Sequence, residues 1–260
     1  PKQFREEISP YFNANPKKYI SALVSEDCWQ ATPGKVVDLV RNLGIAAGGT
    51  VMEDCRVLEA CREGKYTSVL VQTHDKKYVE YRTEHFVNAL GSGAGKLCDS
   101  MGIDAGLYPV RHQAFITRRL PMLGKHGTNL DMLIDRQDYK GFSAVYGQQI
   151  AYTGQIIGCA SPKLDAMRID KNLKVNTKAF LEIVSEMFSE WIPDLAGVGI
   201  QAVWAGYYTE PRYIVDPELG LFVGMRGHGF MLSQYIARMY VDKLLGRPVP
   251  EYFEKLKLNG

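Results

Sequence analysis

Leu221-Phe222-Val223-Gly224-Met225-Arg226-Gly227-His228-Gly229-Phe230 is the stretch on which the fold turns. Its first residues, Leu221 to Met225, make an apolar run with strand character. A glycine-rich turn follows, and from about Phe230 to Leu245 the pattern is helical. A strand that passes through glycines into a long helix is a building unit of α/β domains. The start of such a helix offers free backbone N–H groups and a partial positive charge to a ligand. Arg226 adds a full positive charge there. A capped helix with a surface arginine would look the same, and an isolated His228 is more often structural than catalytic.

Two other stretches have the same texture. Gly91-Ser92-Gly93-Ala94-Gly95-Lys96 ends an apolar run, His85 to Leu90, that reads as a strand, and a short helix from about Ala94 to Ser100 follows. It is not a phosphate-binding GxxxxGK[ST] loop, because only three residues separate Gly91 from Gly95-Lys96, and Leu97 follows. It is not a complete GxGxxG either. What remains is a turn where backbone can approach a ligand closely. Ala202-Val203-Trp204-Ala205-Gly206-Tyr207-Tyr208-Thr209 ends a strand that begins near Gly199. Core packing is the default for its aromatics; a flat ligand lying against Gly206, with Tyr207 or Tyr208 over the pocket, is the functional alternative.

Between these stretches the pattern changes. Thr32 and Pro33 suit a helix start, with Val36, Val40 and Leu43 as its apolar stripe. Strands are expected over Val51–Leu58, Tyr66–Thr73 and Tyr78–Arg82, the last two joined by a polar turn at Asp75-Lys76-Lys77. Longer two-faced strands follow over Tyr108–Arg118, Leu130–Asp135, Ser143–Ala151 and Gln155–Cys159, which fit antiparallel sheet. Phe180, Ile183, Val184, Met187, Phe188 and Trp191 then line one face of a helix capped by Asn176 or Thr177 and stopped before Pro193. Pro10 and Pro16 break any long helix near the start. The sequence thus reads as α/β, then antiparallel β plus helix, then α/β again. The expected fold is a Rossmann-like α/β domain with an inserted antiparallel sheet-plus-helix domain. Residues 32–108 and 200–260 form the first, 109–199 the second, and 1–31 lie on the side of the second.

Composition narrows the function classes. The 260 residues carry 31 Lys+Arg against 29 Asp+Glu, a formal charge of +2, so no basic excess points to nucleic acid. No run approaches the ~20 apolar residues of a membrane span, and the first residues lack the apolar core of a signal peptide. Cysteines 28, 55, 61, 98 and 159 form no CxxC pair and are odd in number. They read as reduced thiols of a cytosolic protein. The five histidines show no metal-ligand spacing.

The ordered motifs resemble the D-amino-acid oxidase superfamily of flavoproteins, in particular the sarcosine oxidase, glycine oxidase and dye-linked proline dehydrogenase branch. Phe86-Val87-Asn88-Ala89-Leu90-Gly91 is similar to the family's VVNAAG turn, and Tyr108-Pro109-Val110-Arg111-His112-Gln113 to its PVRGQ entry into the substrate domain. Trp204-Ala205-Gly206-Tyr207 resembles its WAG segment and Gly227-His228-Gly229-Phe230 its GHGF loop. The resemblance implies non-covalent FAD, with contacts at Val57, Ala89, Gly91, Gly206 and Tyr207. It implies further contacts along the turn at Gly224, Arg226, Gly227, His228, Gly229, Phe230 and Met231. Tyr208 and Arg226 are the implied catalytic positions, and no metal is implied.

The departures also shape the expectation. The family's covalent-flavin cysteine would fall near Gly206. Its substrate-gripping lysine falls on Met231 and the corresponding arginine near Tyr208, which moves that role toward Arg212, Arg226 or another residue. The stretch after WAG is shortened to Thr209-Glu210-Pro211-Arg212-Tyr213. The family's opening strand–GxGxxG–helix unit, which holds the FAD pyrophosphate, has no counterpart here, so a longer chain or a second chain would supply it. The implied activity is oxidation of the C–N bond of a small amine or amino acid to an imine, with oxygen or a carrier as electron acceptor. Two other readings remain: a non-catalytic subunit or scaffold of a flavoprotein complex, and a nicotinamide-linked dehydrogenase, against which the absent GxGxxG also counts.

Overall fold

The computed structural model describes residues 2, 6, 12, 15, 17–124, 130–137, 142–150, 153–162 and 177–259. Four helices are described, α1 (Pro33–Ala46), α2 (Ala94–Ser100), α3 (Thr177–Trp191) and α4 (Gly229–Leu244). The strands in chain order are β1 (Arg56–Glu63), β2 (Tyr66–Gln72), β3 (Tyr78–Thr83), β4 (Tyr108–Thr117), β5 (Leu133–Asp135) and β6 (Phe142–Ile150). They continue with β7 (Gln155–Pro162), β8 (Ile200–Glu210), β9 (Ile214–Asp216) and β10 (Leu221–Val223). The chain divides into two compact units, Pro1–Glu26 with Val110–Tyr207, and Asp27–Pro109 with Tyr208–Gly260.

The first unit is a sheet covered by one helix. Its strand order is β5-β6-β7-β4-β8, with β5–β6, β6–β7 and β7–β4 antiparallel. The 3.6-residue spacing in α3 puts Phe180, Ile183, Val184, Met187, Phe188 and Trp191 on one face, and all six are buried with Phe115, Val145, Ile156 and Ala160 of the sheet. The Phe115 ring centroid lies 6.0 Å from that of Phe180 and 5.6 Å from that of Phe188. Residues 200–207 belong here because β8 pairs with β4, whereas the sequence pattern alone suggests a boundary before residue 200. The buried Asp135 carboxylate has donors from three directions: Trp191 Nε1 at 3.0 Å, Tyr19 Oη at 2.5 Å and the Gln137 N–H at 2.8 Å. A charge withdrawn from water needs such partners, and Tyr19 thereby ties its segment to this unit.

The second unit holds the antiparallel sheet β1-β2-β3 and the pair β9–β10. Helix α2 packs Leu97 on Ala60, Val69 and Val71. The final helix α4 packs Ile236, Met239 and Tyr240 with Val215 of β9 and with Phe253 of a C-terminal 3-10 turn.

Several elements differ from the sequence expectation, for a shared reason. His85–Leu90 is not a strand; it makes a single parallel bridge, Asn88 to Leu221. The Asn88 N–H donates to the Gly220 carbonyl at 2.8 Å and the Phe222 N–H to the Asn88 carbonyl at 3.0 Å. Val51–Leu58 becomes strand only at Arg56, and Val51 and Met52 are exposed. Strand formation needs a ladder partner as well as an apolar run, and these segments lack one on at least one edge among the described residues. Likewise Val36, Val40 and Leu43 of α1 do not face a core: no residue of this helix is buried, and Leu43 is 61% exposed. Periodicity says which residues share a face, not what covers it. Thr32 makes no side-chain cap. Of the expected strand Leu130–Asp135 only Leu133–Asp135 pairs, and the short β9 had no legible sequence signal. Pro10, Pro16 and Asn176 lie outside the described residues.

Candidate cofactor site

The turn between β10 and α4 is shaped by its own residues. Gly224 has φ +72°, and a Cβ there would lie 1.9 Å from the Arg212 carbonyl oxygen, so only glycine fits. A 3-10 turn, Arg226–His228, then leads into α4 at Gly229. No side chain caps α4, so the first backbone N–H groups of a 16-residue helix stay available to a ligand. Tyr208 lies with its ring against Gly227, where an added Cβ would be 2.9 Å away, and Met225 Cβ stands 3.0 Å from the same position on Gly229. These two glycines are therefore required by the packing of the turn itself.

Arg226 is a non-glycine residue with φ +49°. Its Nε forms an ion pair with Glu210 Oε2 at 2.6 Å; the arginine side chain is 45% exposed and the glutamate only 16%. Tyr213 Oη and His228 Nδ1 are 2.5 Å apart. Arg212 donates through Nη2 to the Leu258 carbonyl. Phe230 and Met231, in the first turn of α4, are exposed.

The structure thus brings Tyr208, Gly224, Arg226, Gly227, His228, Gly229, Phe230 and Met231 into one neighbourhood of the second unit. Ala89 and Gly91 belong to it as well, because Asn88 pairs with Leu221 at the start of β10. Asn88 itself was not singled out in the sequence. It is buried, donates its side-chain amide to the Ala94 carbonyl at 3.0 Å and accepts from the Leu90 N–H at 3.2 Å, so it folds the turn around Gly91. Its place between two apolar residues and a glycine-rich run was the available signal. Gly91 has φ +55°, and an added Cβ would meet nothing within 4 Å. Val57 packs against the cluster of Ala60, Val69, Val71 and Leu97. Gly206 and Tyr207 lie on β8 in the other unit; a Cβ on Gly206 also meets nothing within 4 Å.

Elsewhere, burial pushes the His112 imidazole down from 6.5 to about 4, and the Cys159 thiol up to about 11. Among the described residues no group of three His, Cys, Asp or Glu side chains is placed to hold a metal ion, and no helix is long and apolar enough to cross a membrane.

Solved structures with this fold include glycine oxidase from Geobacillus kaustophilus (18% identity, TM-score 0.63, covering 82% of this chain and 54% of that one). Iminodiacetate oxidase from Chelativorans sp. BNC1 is similar at 14% identity and TM-score 0.63, over 85% of this chain and 57% of that one. NikD, an amino acid oxidase essential for nikkomycin biosynthesis, is similar at 16% identity and TM-score 0.64, over 85% and 58% respectively. The chain therefore spans little more than half the length of these proteins. No curated protein matches the sequence. A family model described as FAD dependent oxidoreductase (DAO) matches residues 3–243. Its cofactor is FAD, and with that match over nearly the whole sequence the chain belongs to the DAO family of FAD-dependent oxidoreductases.

Proposed function

We propose that the chain is part of a flavoenzyme that oxidises the carbon–nitrogen bond of a small amine or amino acid. The observation that carries the reading is the turn Gly224–Gly229, which opens onto the uncapped start of α4 and bears Arg226. The residues fit the cofactor. Gly91 leaves backbone exposed to open space, where a flat ligand can lie, and the N–H groups at the start of α4 favour negative charge.

In this reading, Gly91 and the first turn of α4 would hold FAD, with Arg226 toward its pyrimidine edge. FAD bound there would supply the acceptor for a hydride equivalent from the carbon beside the amine nitrogen, gaining negative charge as it does so. The nitrogen lone pair closes the C=N bond, and water hydrolyses the imine to a carbonyl compound and ammonia, or an amine where the substrate nitrogen is secondary. Arg226 and the helix start oppose the developing negative charge with fixed positive charge, which needs no rearrangement during the step. Tyr208, packed on Gly227, borders the turn and orients what lies against it. Oxygen or a carrier removes the electrons afterwards.

The FAD pyrophosphate is held by a further α/β segment, on the same or another chain. Helix α1 supports this: it exposes Val37, Leu39 and Leu43 by 57–62%, and an isolated helix of about this length is marginal in water. The test is anaerobic reduction of the yellow holoprotein by glycine, sarcosine, D-alanine and simple amines. Loss of the flavin colour, with matching release of a carbonyl product, is expected for at least one. A flavin that dithionite bleaches but no amine does would contradict the proposal.

A further inference from the structure

We propose that Glu210 is the positioning residue for Arg226: it fixes the arginine through Nε, leaves the outer guanidinium nitrogens for the cofactor, and offsets the arginine's charge. This rests on the reading above, in which Arg226 stands at the pyrimidine edge of FAD.

Three observations separate this pair from an ordinary surface ion pair, which contributes little and needs no particular geometry. The first is burial. The Glu210 side chain is only 16% exposed, so its carboxylate is largely withdrawn from water and depends on the partner at 2.6 Å. Arg226, by contrast, is 45% exposed and so has surface left for a ligand. The second is backbone conformation. Arg226 is held at φ +49°, a region that residues with a Cβ seldom occupy. Such strain persists when the surroundings over-determine it, and it concentrates at functional turns. Glu210, reaching from the end of β8, is a contact that holds it. The third is the company the pair keeps. Arg212, the other arginine of this stretch, turns to the Leu258 carbonyl, and the His228 ring is engaged by Tyr213. Arg226 is therefore the cation that the turn presents beside the start of α4.

Charge then follows from geometry. With Glu210 ionised, the arginine's charge is partly offset, so its attraction for an added negative charge is reduced. Without that carboxylate the arginine acts as a full cation. Glutamine at 210 keeps an oxygen for Arg226 Nε and nearly the same shape, so it removes the charge while retaining the hold.

The experiment is a spectroelectrochemical titration of the flavin-loaded holoprotein in four forms: wild type, Glu210→Gln, Glu210→Asp and Arg226→Ala. Glu210→Gln is expected to favour reduced over oxidised flavin about tenfold more than wild type, which for a two-electron couple is a potential about 30 mV higher. Glu210→Asp, whose carboxylate is drawn back by one methylene, moves the potential the same way by less, and decides the matter if the glutamine variant does not retain FAD. Arg226→Ala moves it down. A purely structural glutamate lowers the melting temperature of the variants and leaves the potential where it was; that outcome, with Arg226→Ala still shifted, overturns the role of Glu210 alone. No shift in Arg226→Ala either overturns the placement of Arg226 at the flavin, and the role of Glu210 with it.

Discussion

His112 provides a stability test that needs no cofactor. It sits on β4, and burial holds its imidazole near a pKa of about 4 against the ordinary 6.5. Burial disfavours the cation, so the folded protein keeps the ring neutral where the unfolded chain takes up a proton. The sign follows from proton binding: between pH 6.5 and about 4 the unfolded state binds more protons, so stability falls as the pH falls through that window. Above it both states are neutral and His112 contributes no pH dependence. The full gap corresponds to about 3 kcal/mol, and at pH 5 about 2 kcal/mol of it is already lost. Urea unfolding of wild type and His112→Gln between pH 7.5 and 4.5 gives the comparison. Carboxylates titrate in both proteins, so the difference in slope isolates the imidazole. The wild type should lose about 2 kcal/mol more than the variant between pH 7 and pH 5. Parallel curves for the two proteins would refute the reasoning and mean that His112 is solvated in the folded state.

Two further changes address the turn. Gly224→Ala combines a φ of +72° with a Cβ placed 1.9 Å from the Arg212 carbonyl oxygen, so it should cost roughly 2–4 kcal/mol in thermal unfolding; a loss below about 0.5 kcal/mol would show that the turn is not built this way. Arg226→Ala should lower the flavin potential by about 30–60 mV, the equivalent of one charge-assisted hydrogen bond; an unchanged or raised potential, read by spectroelectrochemistry, leaves Arg226 as a surface residue.

Helix α3 shows what was legible in the sequence. Its six apolar residues at 180–191 share one face by spacing alone, and the sheet strands around it alternate in the same readable way. The glycine-rich turn 224–229 was also legible, because glycine at Gly224 answers a local backbone demand. Partnership was not. The apolar stripe of α1 and the run His85–Leu90 look like core elements, yet the first buries nothing and the second pairs at one residue. Local pattern does not say which other segment supplies the missing contact. Charge pairing was equally hidden: Arg226 reads as a free cation until Glu210, 16 positions earlier, is found 2.6 Å from it. Asn88 gave only a weak sign of its role, since its two side-chain bonds depend on how residues 88–94 fold back.

The chain is proposed to hold a flavin, and Gly206→Val tests this at a residue of the first unit whose backbone is open to a flat ligand. A Cβ at this position meets no atom within 4 Å, and the residue lies in a strand, where valine is well accommodated. The chain itself gives no reason for the substitution to harm the fold, so any effect on FAD comes from the space that FAD requires. The measurement is the FAD content of the purified holoprotein, from its visible spectrum, beside the unfolding temperature of the same sample stripped of flavin. Loss of bound FAD is expected, with an unfolding temperature within about 2 °C of stripped wild type, the shift that follows from well under 1 kcal/mol. Full FAD occupancy with an unaltered flavin spectrum in Gly206→Val would contradict it.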